Sequence, residues 1–370
     1  MKPRPQHWLA TSATALLTAS LLTACSGSDD ASEPIAKSTR AAAGIGQEAI
    51  DKATEEGKVV VYGNPPEDMW KRLIPTFEKA YPGITIETVD AGGSELTQRV
   101  LSEAKTGTAS ADLVIDSNSK TFIDLAGVVE GRTSAYEDEL PEFTKPDAGI
   151  YAFAADPGIL LYNKAVLTAD EYPTSMADMS EVGAANPGKV TTYDLSNDNG
   201  YSQMWTFANA VGDGAWDMYD ELVPQTTYEA SGGTMVQKLA QGEYVGGYFQ
   251  SGLVRGLLEP TGLDKLVGWS YASDGTPVQP RYSAPLKGAE HPNAAALLQD
   301  YLLSAEGQTV VCASGLTAVR DDVVDACGDF ALKHIQDELG KENVQLVPYG
   351  DEPYVDKPDF EARVDALRED

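Results

Sequence analysis

From Lys58 onward the chain alternates short β-branched runs with longer amphipathic ones, and this alternation narrows the fold more than any other feature. VVVYG (59–63) reads as a buried strand ending in glycine. EDMWKRLIPTFEKAY (67–81) then places Met69 or Trp70, Leu73, Phe77 and Tyr81 about one turn apart, the signature of a helix with one apolar face. Pro75 predicts a kink or break in that helix. A turn at YPG leads to a second strand, ITIETV (84–89), then to a helix predicted to be capped near Ser94, then to a third strand in ADLVIDSNS (111–119). Strand–helix–strand order of this kind implies a parallel sheet with helices on its faces.

The middle of the chain changes character. YAFAADPGILLYNKAVL (151–167) reads as two extended pieces joined at Asp156-Pro157-Gly158. GKVTTYDLSNDNGYSQMWTFANAVG (188–212) reads as a strand, a polar loop and a helix. TMVQKLAQGEYVGGYFQSG (234–252) reads as a helix and a strand, and VGWSYASDGTPVQPRYSAPLKG (267–288) as paired strands around Asp274-Gly275. NAAALLQDYLLSAEGQTVVCAS (293–314) is a strong helical pair, and DFEARVDALRED a surface helix.

The amino terminus carries a different signal. Lys2, Arg4 and His7 precede the apolar or small-residue run Leu9–Leu22, which is short for a bilayer span. Leu22-Thr23-Ala24-Cys25 resembles the bacterial lipobox, which implies a signal peptide over 1–24, cleavage before Cys25 and lipidation there. The alternative is an ordinary secretory signal. Residues 25–57 are expected to be a flexible tether, because their small and polar start cannot bury enough apolar surface to fold. Of the three cysteines, Cys312 and Cys327 then remain, and an exported protein meets an oxidising compartment, so a disulfide between them is expected over two buried thiols. The net charge of −30 argues against nucleic acid as a partner.

Four stretches share one order and spacing: VVVYGNPPEDMWKRLIPTFEKAYPGITIE, GGSELTQRVLSEAKTGTASADLVIDS, GILLYNKAVL with YPTSMADM, and KGAEHPNAAALLQDYLLSAEGQ. In this they resemble the solute-binding proteins of ABC importers, in the branch that includes iron(III), thiamine, polyamine and phosphonate binders. The resemblance covers most of 58–320 and fades over the last 50 residues. It implies an α/β protein of the type II periplasmic-binding-protein fold, with two lobes, each a mixed sheet flanked by helices, joined by crossover strands. The expected lobes are 58–150 plus 282–325, and 151–281, with 326–370 a tail packed on either. The implied function is a monomeric, lipid-anchored receptor at the outer face of the cell membrane. It would capture a small polar solute between the lobes, deliver it to an ABC permease, and use no cofactor. A solute sensor working through a membrane receptor is the alternative that sequence cannot separate. A hydrolase lacks support: the chain has no G-x-S-x-G and no H-E-x-x-H.

Ligands of open α/β sheets lie beyond the carboxyl ends of the strands. The residues at those ends are Tyr62 and Asn64, Ser94 and Glu95, Asp116 and Ser117, Ser196, Asn197 and Tyr201, and Tyr248, Gln250 and Ser251 in VGGYFQSG. Backbone N–H groups at Ser94 and near Tyr201, with the hydroxyls of Ser117 and Ser251, suit an anionic head group. Glu95, Asp116 and Asp198 suit a cation, and Tyr62, Tyr201, Tyr248 and Trp269 suit stacking. Arg281 and Tyr282 face either the cleft or solvent. Iron(III), which favours oxygen donors, is the competing ligand. It is disfavoured because the residue beside Tyr248 is Phe249 rather than a second tyrosine, and because the histidines are only His7, His291 and His334.

Overall fold

The computed structural model describes residues 45–108 and 110–369. The signal-peptide segment, Cys25 and the tether as far as residue 44 lie outside the described residues. In chain order the first part runs α1 (Gln47–Glu56), β1 (Lys58–Gly63), α2 (Glu67–Ala80), β2 (Thr85–Asp90), α3 (Gly93–Thr106), β3 (Leu113–Asp116) and α4 (Ser119–Leu125). The long strand β4 (Tyr151–Asn163) leads into α5 (Met176–Ala185), β5 (Val190–Tyr193), α6 (Asp198–Val211), α7 (Asp213–Leu222) and β6 (Thr226–Glu229). Then come α8 (Gly232–Gln241), β7 (Gly246–Ser251), α9 (Arg255–Thr261) and β8 (Val267–Ser270). A second long strand, β9 (Thr276–Pro285), precedes α10 (Pro292–Leu303), α11 (Ala305–Ala313), α12 (Val324–Cys327) and α13 (Leu332–Leu339). β10 (Val344–Leu346), α14 (Glu352–Val355) and α15 (Lys357–Arg368) complete the described chain.

The strands join in the order β2-β1-β3-β9-β4-β7-β5-β6, with β10 beside β9 and β8 beside β4. β1 is parallel to β2 and β3, and β5 is parallel to β6 and β7. Between these two parallel sets stand β9 and β4, antiparallel to each other and buried at every position. Each half is covered on both faces. Along β1, Val59 and Val61 meet Leu73 and Phe77 of α2, while Val60 and Tyr62 meet Leu96 and Val100 of α3. Period-two alternation in the strand is what feeds the two cores.

β4 is one strand rather than two pieces. Residues 151–157 pair with β9 and residues 158–163 with β7 and β8, so Asp156-Pro157-Gly158 is where the strand changes partners. Proline, which has no N–H to donate, fits such a point.

Four expectations change. α2 runs unbroken through Pro75, because Pro75 lies on the exposed face where the carbonyl it frees can meet water. The tether ends earlier than residue 57. α1 buries Ala53, and the Glu56 carboxylate accepts from the backbone N–H of Asn293 (3.1 Å) and Ala294 (2.7 Å), capping α10. β8 and β9 do not form a hairpin. β8 joins β4, and Asp274 between them accepts from the N–H groups of Met176 and Ala177 at the start of α5. Finally, α3 is preceded by Gly92 with no side-chain cap, not capped by Ser94.

Candidate functional site

The carboxyl ends of β1, β2 and β3 lie side by side and deliver Asn64, Gly92-Gly93 and Ser117-Asn118 to one edge of the first half. The start of α6 faces them from the second half. Asn118 Nδ2 donates to Asp198 Oδ2 at 2.8 Å across the gap. Gln279, on β9, ties both sides together: its Nε2 donates to the Ser117 carbonyl (2.7 Å) and its Oε1 accepts from Ser202 Oγ (2.7 Å). Between these groups is a cavity of about 30 Å³, room for roughly one water. The halves are therefore nearly shut on each other.

The carboxyl-terminal segment crosses this seam. Tyr349 packs edge-on against Tyr282 of the first half, with centroids 5.4 Å apart. Pro353 and Tyr354 line the cavity. The Tyr354 hydroxyl accepts from Lys120 N (3.1 Å), donates to Asn118 Oδ1 (2.7 Å) and lies 3.0 Å from Ser119 Oγ, at the amino terminus of α4. On the other side the Tyr201 hydroxyl donates to the Pro353 carbonyl, and Phe360 and Val364 of α15 enter the core of the second half. Lys357 meets Asp198 at 3.4 Å and lies over the Tyr201 ring.

Three long or short helices start at the seam, and two of these starts are satisfied internally. Asn118 and Tyr354 take the Lys120 N–H of α4, and Asn197 takes those of Asn199 and Gly200 in α6. α3 is open. Of its first four N–H groups, that of Gly93 donates to Asp116 Oδ2 (2.6 Å) and that of Leu96 to the Gly92 carbonyl (3.4 Å), while those of Ser94 and Glu95 have no partner among the described residues and both residues are exposed. Gly93 adopts φ +55°, a turn that suits glycine, and a Cβ on Gly92 would lie 2.3 Å from Asn64 Nδ2. Asn64 Oδ1 in turn accepts from Arg281 Nη1 (3.1 Å), two residues along β9 from Gln279 and on the same face of the strand.

The residues singled out by sequence fall into three groups. Ser117 and Tyr201 line the cavity; Asn64, Ser94 and Glu95 stand at the adjoining edge. Asp116 and Asn197 act on backbone. Asp116 is buried, with Oδ2 accepting from Gly93 N and Thr121 Oγ1 and Oδ1 from Asn118 N, so it fixes the starts of α3 and α4. The remainder face elsewhere. The Tyr62 hydroxyl is engaged by Glu103 and Arg99 far along α3. Ser196 is exposed in the loop before α6.

VGGYFQSG is built for packing. Cβ atoms on Gly246 and Gly247 would lie 2.9 Å from Met179 Sδ and 3.1 Å from the Thr191 carbonyl, so the glycines admit α5 and β5. A bulge opposite Leu160, with Phe249 at φ +51°, breaks the alternation expected there. Tyr248 and Phe249 both enter the second half's core. The Tyr248 hydroxyl meets Thr226 Oγ1 (3.2 Å), and burial pushes its phenol pKa well up, which opposes a metal-binding phenolate. Gln250 is buried with Nε2 on Met235 Sδ, and Ser251 Oγ accepts from Leu253 N. Trp269 packs on Tyr271 near Arg255. Among the described residues no three His, Cys, Asp or Glu side chains gather as a metal would require. Cys312 and Cys327 are joined, with Cα atoms 5.6 Å apart.

Sequence reasoning missed Gln279 and left Arg281 uncommitted, although TPVQPRYSAP carries a signal. Polar side chains at alternate positions of a wholly buried strand must serve something on that face. Nothing local in the sequence points to Tyr354.

The comparisons with known proteins agree on the class. No curated protein matches the chain. Among solved structures, the substrate-binding protein of an ABC transporter from Agrobacterium tumefaciens superposes with TM-score 0.72 at 22% identity, covering 85% of this chain and 97% of that one. AfuA from Actinobacillus pleuropneumoniae, with fructose-6-phosphate bound, gives 0.66 at 19%, covering 84% and 99%. The ferric binding protein of Campylobacter jejuni gives 0.62 at 17%, covering 84% and 98%. The fold is thus that of type II periplasmic binding proteins. A family model described as bacterial extracellular solute-binding protein matches residues 72–336, and the chain belongs to that family, whose members bind small solutes for ABC permeases.

Proposed function

We propose that this receptor captures a small polar organic solute at the seam between its halves and hands it to an ABC permease by opening and closing about β4 and β9. The lobes in this reading are 58–150 with 282–325, and 151–281, with the tail after 326 strapped over both. The observation that carries it is Gln279: one side chain on a shared strand hydrogen-bonds Ser117 on one side and Ser202 on the other, so the contacts that close the cleft are polar and exchangeable for those of a solute. An organic solute is favoured over iron(III) because the Tyr62 hydroxyl is engaged by Glu103 and Arg99 along α3 and the Tyr248 hydroxyl meets Thr226 inside the second half. A signal peptide over 1–24 would direct export and be cleaved, and a lipid on Cys25 would hold the monomer at the outer face of the cell membrane.

Native mass spectrometry of protein purified without added ligand, with metal analysis, tests the solute class. Stoichiometric iron would overturn the organic reading. Small-angle scattering with the solute so found tests the mechanism: a radius of gyration that responds to no solute would end the hinge proposal.

A further inference from the structure

Among the described residues, Arg281 is a buried cation whose burial the chain itself explains poorly. It is 7% exposed. Its only hydrogen bond among the described residues is Nη1 to Asn64 Oδ1, and its Nε is buried without a partner. No carboxylate of the described residues stands at ion-pairing distance; Asp156, the buried acid whose field reaches it, makes no such contact. A guanidinium removed from water without compensation costs several kcal/mol, so native structures hold one only where something answers it. What lies beside it is Asn64, then Gly92, then the start of α3, where Asp116 takes the Gly93 N–H but the N–H of Ser94 has no partner among the described residues and the helix dipole is positive. A planar donor fork, an amide and a helix start converge on one place, at the edge of the cleft that Gln279 bridges.

We propose that Arg281, Asn64 and the amino terminus of α3 form an oxyanion subsite, so that the solute carries a phosphate-, phosphonate- or carboxylate-type group held there. This rests on the reading of the protein as a solute receptor and names the class of solute. Acidic groups bound the site and set its selectivity. Asp116 is held inside by its three donors, Asp198 is met by Lys357, and Glu95 stands on the first turn of α3. An extended polyanion would meet Glu95 and Asp198, whereas one compact oxyanion reaches Arg281 without doing so. Guanidinium and oxyanion match through paired N–H···O bonds, which a lysine cannot reproduce.

The test uses the full chain and calorimetric titration with inorganic phosphate, 2-aminoethylphosphonate and glycerol 3-phosphate, with glucose and putrescine as neutral and cationic probes. We expect an oxyanion to bind, and Arg281→Gln to weaken it roughly tenfold to hundredfold, with Arg281→Lys recovering only part. Ser94→Asp gives a second arm. A carboxylate at a helix start stabilises the helix but repels an anion, so this variant should melt no lower than wild type yet bind the oxyanion at least about tenfold more weakly. Inorganic phosphate binding as tightly as the organic oxyanions would identify a free anion as the ligand; tighter binding of the organic ones would identify a head group, and either supports the subsite. Oxyanion affinity unchanged in both variants overturns it. So does binding of glucose or putrescine alone, an outcome that leaves the receptor reading intact. If no probe binds, the subsite is rejected, and scattering then judges the receptor reading separately.

Discussion

Arg255 and Arg281 are buried to nearly the same degree, 6% and 7% exposed, yet their surroundings are opposites. Around Arg255 the protein supplies everything. Nε donates to the Gly252 carbonyl (2.9 Å), Nη1 to the Asp329 carbonyl (2.6 Å) and to the Tyr271 hydroxyl, and Nη2 to Thr317 Oγ1 (2.9 Å), while Phe330 stacks on the guanidinium at 4.5 Å. Burial pulls its pKa down, and Tyr271, Asp156 and Asp329 oppose that pull, but every nitrogen of the guanidinium has a hydrogen-bond partner. Around Arg281 the protein supplies one bond. Arg255 joins segments distant in sequence and belongs to the architecture. Arg281 lies where the two halves part. Burial alone would have ranked them together; counting donors against acceptors separates them.

The largest expected effect comes from breaking the satisfied site. Arg255→Met removes four hydrogen bonds, leaving Thr317 Oγ1 without its donor and the Gly252 and Asp329 carbonyls with one donor each, and should lower unfolding free energy by about 3–5 kcal/mol in urea titration. Solute affinity should hold at temperatures where the variant is folded. Should affinity fall as steeply as in Arg281→Gln, the division between the two arginines would be wrong.

Next is the disulfide beside that site. Cys312–Cys327 closes a 15-residue separation and pins the segment that carries Asp329 and Phe330 to α11. Replacing both cysteines by serine should lower stability by about 3 kcal/mol, from the added freedom of the unfolded chain. The loss should be partly non-additive with Arg255→Met, because both act on one segment, and a double-mutant cycle measures that coupling. Full additivity would say that Arg255 does not depend on how that segment is held.

A smaller effect is expected at the strap. Tyr354→Phe removes a hydroxyl that meets Asn118, Ser119 and the Lys120 N–H, and should lower stability by about 1 kcal/mol. Because those bonds hold the seam together from the first half, the solute-free variant should also show a larger radius of gyration by scattering. An unchanged radius would mean that the strap follows the second half without holding the first.

Much of the fold was legible because helix and strand periods are local. Leu73, Phe77 and Tyr81 could be placed on one helix face without any tertiary knowledge, and all three are buried. The site was only partly legible, for the same reason turned around. Ser117 and Tyr201 stand at element ends, where topology alone puts ligands. Tyr248 looked like a cleft residue because its strand ends there, but a bulge at Phe249 redirects it, and nothing in GGYFQS announces a bulge. Tyr354 reaches its partners from more than 230 residues away, a distance no periodicity spans. α1 was hidden by the polar segment before it, since its stability rests on Glu56 capping a helix that begins at Pro292.

The smallest expected effect sharpens the comparison most. Arg281→Gln removes one charge-assisted hydrogen bond, which favours the native state by about 1.5–3 kcal/mol, and it also removes the cost of keeping an unpaired guanidinium from water, which is of similar size and opposite sign. The two should nearly cancel, leaving a change within about 1 kcal/mol in urea titration of the solute-free protein. Addition of a bound oxyanion changes the sum, because the ligand completes the donor set in the wild type alone. At one saturating ligand concentration the wild type should therefore gain about 1.4–2.7 kcal/mol more than the variant, which is RT ln of the roughly tenfold to hundredfold ratio of their dissociation constants. A large loss of stability without ligand would make Arg281 a second Arg255, a structural residue whose partners lie within the chain.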